Sequence, residues 1–184
     1  MTKVKIREPF RELSKQELLE KAYSVGFGFE KYSHSCSQST VAAIHHIVEM
    51  DDIVVKVSTS LCGGVTLEVL GTCGALSGGI VALDYFFGRP PDKMSYVEEI
   101  PADTSAIGEA AKVSSLLADK FVERYGTFSC CQIQRKLFGR FYYVKDAQEL
   151  AKMMAQGAYD SPDKCSDVVG NTARWVMEIL LEIA

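Results

Sequence analysis

Apolar residues recur three and four positions apart in one segment of this chain after another, which is the spacing of a helix that buries one face. The first such segment follows Ser14, and Glu17 stands three residues further on, which is the pattern of a capping box. Strands that would alternate with helices are missing, although the Val-rich segment 53–60 suits a strand, a helical turn or an extended connector. The sequence therefore predicts an all-α bundle of six to seven helices. Their predicted ranges are 15–32, 36–48, 73–87, 103–125, 130–138, 147–154 and 165–183.

Length and composition predict one domain over 1–184, with 1–13 as an N-terminal extension. The net charge of -4 leaves no basic surface, so nucleic acid is not an expected partner. The N-terminus is charged and lacks the apolar core of a signal peptide. The most apolar stretch, 74–87, contains Asp84 and is too short to span a bilayer. We therefore expect a cytoplasmic protein with no membrane partner, in a compartment that keeps thiols reduced.

The centre of the chain is rich in glycine. Gly63, Gly64, Gly71 and Gly74 surround two of the six cysteines, and glycines of this kind allow tight turns and close approach of backbones. Gly74 and Gly78 also give the helix 73–87 a face of small residues. That face packs either inside the fold or against a second copy in a homodimer.

Four cysteines, Cys36, Cys73, Cys130 and Cys165, fall in the first turn of a predicted helix. Unpaired N–H groups and the positive end of the helix dipole favour an anion there, so we expect these thiols to ionise easily. If they act together, their four helix starts must converge in space. The neighbouring glycines at 63, 64, 71 and 74 would then turn the backbone beside the sulfurs and leave N–H groups to bind negative charge. Cysteines that only pack would instead be dispersed among apolar side chains.

Four ordered blocks of sequence surround these cysteines: SHSCSQSTVAA, CGALSGG, FSCCQIQRKLFGR and KCSDVVGNTARWVMEIL. From about Gly26 to the C-terminus the chain resembles the C_GCAxxG_C_C family of redox-active proteins, although Thr72 stands where the family pattern has glycine before its second cysteine. The resemblance implies an all-helical protein with a redox role. A distantly similar split-Soret cytochrome carries covalent haems and an iron–sulfur cluster. This chain has no C-x-x-C-H sequence, so covalent c-type haem is not expected.

Two functions fit this set of residues. In the first, Cys36 and Cys73 form one thiol–disulfide pair of an oxidoreductase with an unknown redox partner, and Cys130 and Cys165 form a second pair or resolve the first. In the alternative, these four cysteines are the metal ligands of an iron–sulfur cluster or a soft metal in an electron carrier without catalytic activity of its own. A helical interaction module with packed cysteines is the third reading.

Two further cysteines are left undecided by the sequence. Cys62 suits core packing as well as membership of the site. Cys131 lies about 100° around the helix from Cys130, so both hardly face one site. Counting back from Ile133 and Gln134 favours Cys130 as the family cysteine, and Cys131 is then a packing residue or a resolving thiol.

Overall fold

A computed structural model describes residues 3–183, and within this range it contains eight α-helices and no β-strand. The predicted all-α fold is confirmed. The eighth helix is the short α3, in the segment that the sequence left undecided. The helices are α1 Lys15–Ser33, α2 Cys36–Ile47, α3 Asp52–Val57, α4 Gly74–Phe87, α5 Ser105–Tyr125, α6 Cys130–Phe138, α7 Ala147–Ala155 and α8 Cys165–Ile183.

The helix ends show which local predictions hold. Ser14 caps α1 by accepting from the Glu17 amide, and the Glu17 side chain bonds back to the Ser14 backbone, which confirms the capping box. Asp146 caps α7 by accepting from two backbone amides of its first turn. Ser35 occupies the cap position of α2, but its side chain accepts no hydrogen bond from the helix. A serine directly before a helix often caps it through its side chain, but Ser35 does not do so here.

The core forms where α1, α2, α4 and α5 pack around α8. Helices α1 and α8 approach closely because each places a glycine against a side chain of the other helix. A β-carbon added to Gly26 would lie 3.1 Å from Ala173 Cβ, and one added to Gly170 would lie 2.8 Å from the ring of Tyr23. The largest fully buried side chains of this core include Phe86, Phe121, Ile44, Ile47, Leu83, Leu117, Met177 and Leu180.

The small-residue face of α4 is used inside the chain. A β-carbon added to Gly78 would overlap the carbonyl oxygen of Ser37 in α2, and one added to Gly79 would lie 2.6 Å from Leu117 in α5. Intramolecular packing accounts for this face, so it no longer argues for a homodimer. No helix within residues 3–183 is both long enough and apolar enough to cross a membrane.

Candidate functional site: a cavity lined by cysteines

One cavity of about 170 Å³ brings together cysteines that lie far apart in the sequence. Five of them line it: Cys36, Cys62, Cys73, Cys130 and Cys165. The structure thus gathers the four cysteines predicted at helix starts and adds Cys62. Cys131 does not line the cavity, and its sulfur lies 3.2 Å from the Ser129 hydroxyl. All six cysteines are free thiols in this structure.

Each of the four predicted cysteines stands at the beginning of a helix. Cys36, Cys130 and Cys165 are the first residues of α2, α6 and α8, and Cys73 is the cap residue immediately before α4. The four helices therefore direct their N-terminal ends toward one cavity. This arrangement concentrates thiols and helix N-termini in the same small volume.

A short antiparallel bridge between Thr72 and Ser129 holds two of these helix starts together. The Cys73 amide donates to the Phe128 carbonyl at 2.7 Å, and the Cys130 amide donates to the Gly71 carbonyl at 2.9 Å. These backbone hydrogen bonds place Cys73 opposite Phe128 and Cys130 opposite Gly71, so the two cysteines lie diagonally across the bridge from each other. Sequence periodicity carried no sign of this pairing, because a bridge of one residue on each side has no repeat.

The glycines singled out in the sequence lie against the sulfurs or against each other. A β-carbon on Gly74 would overlap the Cys36 sulfur and lie 2.9 Å from Cys62 Cα, and the Gly63 amide faces the Cys36 sulfur at 3.5 Å. A β-carbon on Gly71 would lie 2.6 Å from the Gly64 carbonyl oxygen. A side chain at Gly74 would therefore displace Cys36 or Cys62, and one at Gly71 would displace the backbone at Gly64.

The segment from Gly63 to Leu67 forms a left-handed turn, with φ of 57°, 73°, 67°, 50° and 63° at successive residues. Three of these residues, Val65, Thr66 and Leu67, are not glycine, and each costs roughly 1–2 kcal/mol in this conformation. Backbone hydrogen bonds such as Leu67 N–H to Cys62 O at 3.2 Å hold the turn. Leu67 also lines the cavity, so the strained turn forms part of its wall. The sequence did not predict this conformation.

Burial dominates the electrostatics of the thiols. It raises the pKa of Cys73 to about 12 and that of Cys130 to about 11, and it raises the pKa of Cys36 and Cys165 well above the ordinary value. The backbone amides at Ala75 and the following residue lower the Cys73 pKa, as a helix start should, but by less than burial raises it. Burial therefore opposes the easy ionisation that the helix starts led us to expect for these thiols.

Glu30 also lines the cavity and was missed in the sequence. Glu30 is 2% exposed, and its Oε2 has no hydrogen-bond partner within residues 3–183. Burial raises the pKa of Glu30 to about 7. The polar groups of the Ser39 side chain and the Ser35 backbone favour the carboxylate and so lower this pKa, but by less than burial raises it. A signal was available: Leu18, Ala22, Gly26 and Glu30 follow at four-residue intervals, which places Glu30 on the buried stripe of α1.

Gln134 is a second buried polar residue that lines the cavity. It is 3% exposed, its carbonyl accepts from the Tyr142 amide at 2.8 Å, and its side-chain N–H₂ faces the Cys130 sulfur at 3.6 Å. Gln134 therefore orients Cys130 and ties α6 to the chain before α7. At the rim, exposed His34 stacks on Tyr159 with ring centroids 4.1 Å apart, and both line the cavity.

The thiols are soft ligands of the kind found in iron–sulfur and zinc sites, but the arrangement of these side chains in space is not that of such a site. Across residues 3–183, no group of three or more His, Cys, Asp or Glu side chains is placed so as to hold a metal ion. The residues thus fit a metal by type and not by arrangement.

The fold and the cavity together define a class: an all-helical protein that collects helix-start cysteines and one buried carboxyl group in a single cavity. A family model described as "Putative redox-active protein (C_GCAxxG_C_C)" matches residues 34–179, which is more than half of the chain. The chain belongs to this family, which confirms the resemblance seen in the sequence. Searches of the curated proteins and of the solved structures found no match to the chain.

Proposed function

We propose that this protein is a thiol–disulfide redox protein in which Cys36 and Cys73 alternate between a dithiol and a disulfide. The observation that carries the proposal is the convergence of cysteines from four helix starts on one cavity. Buried cysteines that only pack have no reason to meet in this way. Membership of a family described as redox-active agrees with the proposal.

The choice of Cys36 and Cys73 as the first pair is supported by local contacts. The Cys36 sulfur lies against Gly74, the residue directly after Cys73. The amides at the start of α4 favour a thiolate on Cys73, and the Gly63 amide does the same for Cys36. Cys130 lines the same cavity and lies diagonally across the Thr72–Ser129 bridge from Cys73, so it is the thiol that we expect to resolve or accept the disulfide.

The oxidant in this cycle is the disulfide of a small molecule or of a partner protein. Two cysteine thiols give up two electrons and two protons, a new S–S bond forms between them, and the partner disulfide is reduced to two thiols. The setting we propose is the cytoplasm, where the thiol pool returns the pair to the dithiol. The net charge of -4 favours a partner other than nucleic acid.

Peptide mapping after mild oxidation tests this function. The reduced protein is incubated with oxidised glutathione, the remaining thiols are alkylated, and disulfide-linked peptides are identified by mass spectrometry. We expect a peptide that links Cys36 to Cys73, lost in Cys36→Ser and in Cys73→Ser. The control Cys131→Ser removes a thiol outside the cavity and should leave the link intact. Six alkylated thiols in the oxidised wild type would contradict the proposal.

The second candidate is an electron carrier in which Cys36, Cys73, Cys130 and Cys165 bind an iron–sulfur cluster or a soft metal. The specific observation in its favour is the number of thiols in the cavity, five where a disulfide needs two. Because the described side chains are not arranged as a metal site, this function requires the sulfurs to move toward one another on binding. Anaerobic purification followed by iron, sulfide and zinc analysis tests it, and a colourless metal-free protein would contradict it.

A further inference from the structure

Glu30 is the unusual group in this cavity. It is a carboxyl group on the buried stripe of α1, in the last part of the helix, where the helix dipole disfavours negative charge. Its Oε2 is buried and unpartnered within residues 3–183, and no Lys or Arg side chain lines the cavity to balance it. An unpartnered buried acceptor is destabilising, so a buried group of this kind calls for an explanation.

The residues around Glu30 are thiols and rim groups. Cys36, Cys73 and Cys165 line the same cavity as Glu30, and its negative charge raises their pKa values. The same charge raises the pKa of Cys62 and of Tyr159. The other titratable groups that line the cavity with Glu30 are His34 and Cys130. Glu30 thus faces the thiols of three helix starts, and the walls around it are mostly apolar, with Ala75, Ile133, Val144, Leu150, Met153 and Val168 among them.

We propose that Glu30 is the proton carrier of the cysteine pair, taking the proton that each thiol must lose and delivering it to the thiolate that leaves the oxidant. This inference rests on the proposed thiol–disulfide function. Deeply buried thiols need such a group because they are rarely ionised by themselves.

The exchange balances with a disulfide RSSR as oxidant. The first cysteine S–H bond breaks, its proton goes to the Glu30 carboxylate, and the thiolate attacks one sulfur of RSSR. The R–S–S–R bond breaks, a mixed disulfide forms, and the departing RS⁻ takes the proton from the Glu30 carboxylic acid. The second cysteine repeats the proton transfer and attacks the cysteine sulfur of the mixed disulfide, releasing the second RSH. Glu30 ends as the carboxylate with which it began.

The test measures how fast the reduced protein is oxidised by 2-hydroxyethyl disulfide between pH 5 and 9. Samples are quenched with acid and alkylated, and their mass reports the remaining thiols. We expect the wild-type rate to rise with pH and to bend near pH 7, where Glu30 titrates. Glu30→Gln should be at least about 10-fold slower at pH 7.5 and should lose the bend, because general acid–base groups typically contribute about 10²–10⁴-fold.

Glu12→Gln is the matched control, since it removes a carboxylate from an exposed position outside the cavity. It should retain the wild-type rate and the bend. Glu30→Asp keeps a carboxyl group but withdraws it by one methylene, so it should be slower and keep a bend. If Glu30→Gln fails to fold by circular dichroism, the wild-type and Glu30→Asp profiles carry the test.

The outcomes separate this inference from the function beneath it. A wild type that forms no disulfide at any pH overturns the proposed function, and the role of Glu30 with it. A wild type that is oxidised without a bend near pH 7, or a folded Glu30→Gln with an unchanged rate and bend, overturns the role of Glu30 alone.

Discussion

Replacing Gly74 by alanine tests whether close packing at the start of α4 positions the thiols. The new β-carbon would overlap the Cys36 sulfur and lie 2.9 Å from Cys62 Cα and 3.1 Å from the Leu61 carbonyl oxygen. Backbone atoms cannot withdraw as a flexible side chain can, so the Cys36 side chain or the start of α4 must move. Overpacking of this kind costs typically about 1–3 kcal/mol, more than the roughly 0.5–1 kcal/mol that alanine gains over glycine in a helix.

We therefore expect Gly74→Ala to lower the free energy of unfolding by about 2 kcal/mol, which corresponds to a fall in Tm of roughly 4–8 °C in a chain of this size. Urea and thermal unfolding of the fully reduced protein, followed by circular dichroism, measure the change. Gly108→Ala is the control, because a β-carbon at Gly108 in α5 meets nothing within 4 Å. It should leave the protein as stable as the wild type or slightly more stable. A Gly74→Ala protein that behaves like Gly108→Ala would refute the packing argument.

Three further predictions concern buried polar groups. Glu30 is protonated in the folded protein up to about pH 7 but only to about pH 4.5 when unfolded, so its contribution to stability is lost as pH rises through that window. We compare the free energy of unfolding of Glu30→Gln with that of wild type by urea titration at pH 5 and at pH 8. The difference should shift in favour of the variant by about 3 kcal/mol at the higher pH, and an equal difference at both pH values would contradict this. Gln134→Leu should lower the free energy of unfolding by about 1–3 kcal/mol, because it leaves a buried amide without its acceptor, whereas exposed Gln148→Leu should change it little. In the native reduced protein, iodoacetamide should modify Cys131 well before Cys73, which is 7% exposed and has a pKa of about 12, and equal rates by peptide mass spectrometry would refute the burial described for Cys73.

Local signals in the sequence predicted most of the helices. The Ser14 capping box and the Asp146 cap work at short range, and the apolar spacing after them reports a face that must be buried. The same signals placed four cysteines at helix starts. Whether those starts meet depends on how the helices pack, and the two hints that the four cysteines act together were their shared placement at helix starts and the family blocks.

The buried position of Glu30 could have been read from the four-residue spacing on α1, but the other features missing from the sequence analysis depend on contacts between distant residues. The Thr72–Ser129 bridge joins segments 57 positions apart and leaves no periodic trace. The left-handed turn at 63–67 includes Val65 and Thr66. Both residues are β-branched and rarely adopt positive φ, so the surrounding structure imposes that conformation. The thiol pKa values were misjudged for the same reason: the helix start is a local effect, and burial in the assembled cavity outweighs it.

An equilibrium redox titration shows whether Cys36 and Cys73 form a disulfide within the range of cellular potentials. The protein is equilibrated in thiol–disulfide buffers from roughly -300 to -180 mV, the range that spans cytosolic and more oxidising poises, and the remaining thiols are counted by alkylation and intact mass. We expect a transition in which two thiols disappear together, and this transition should be present in Cys131→Ser and absent in Cys36→Ser and Cys73→Ser. Six thiols that remain free across the whole range would contradict it.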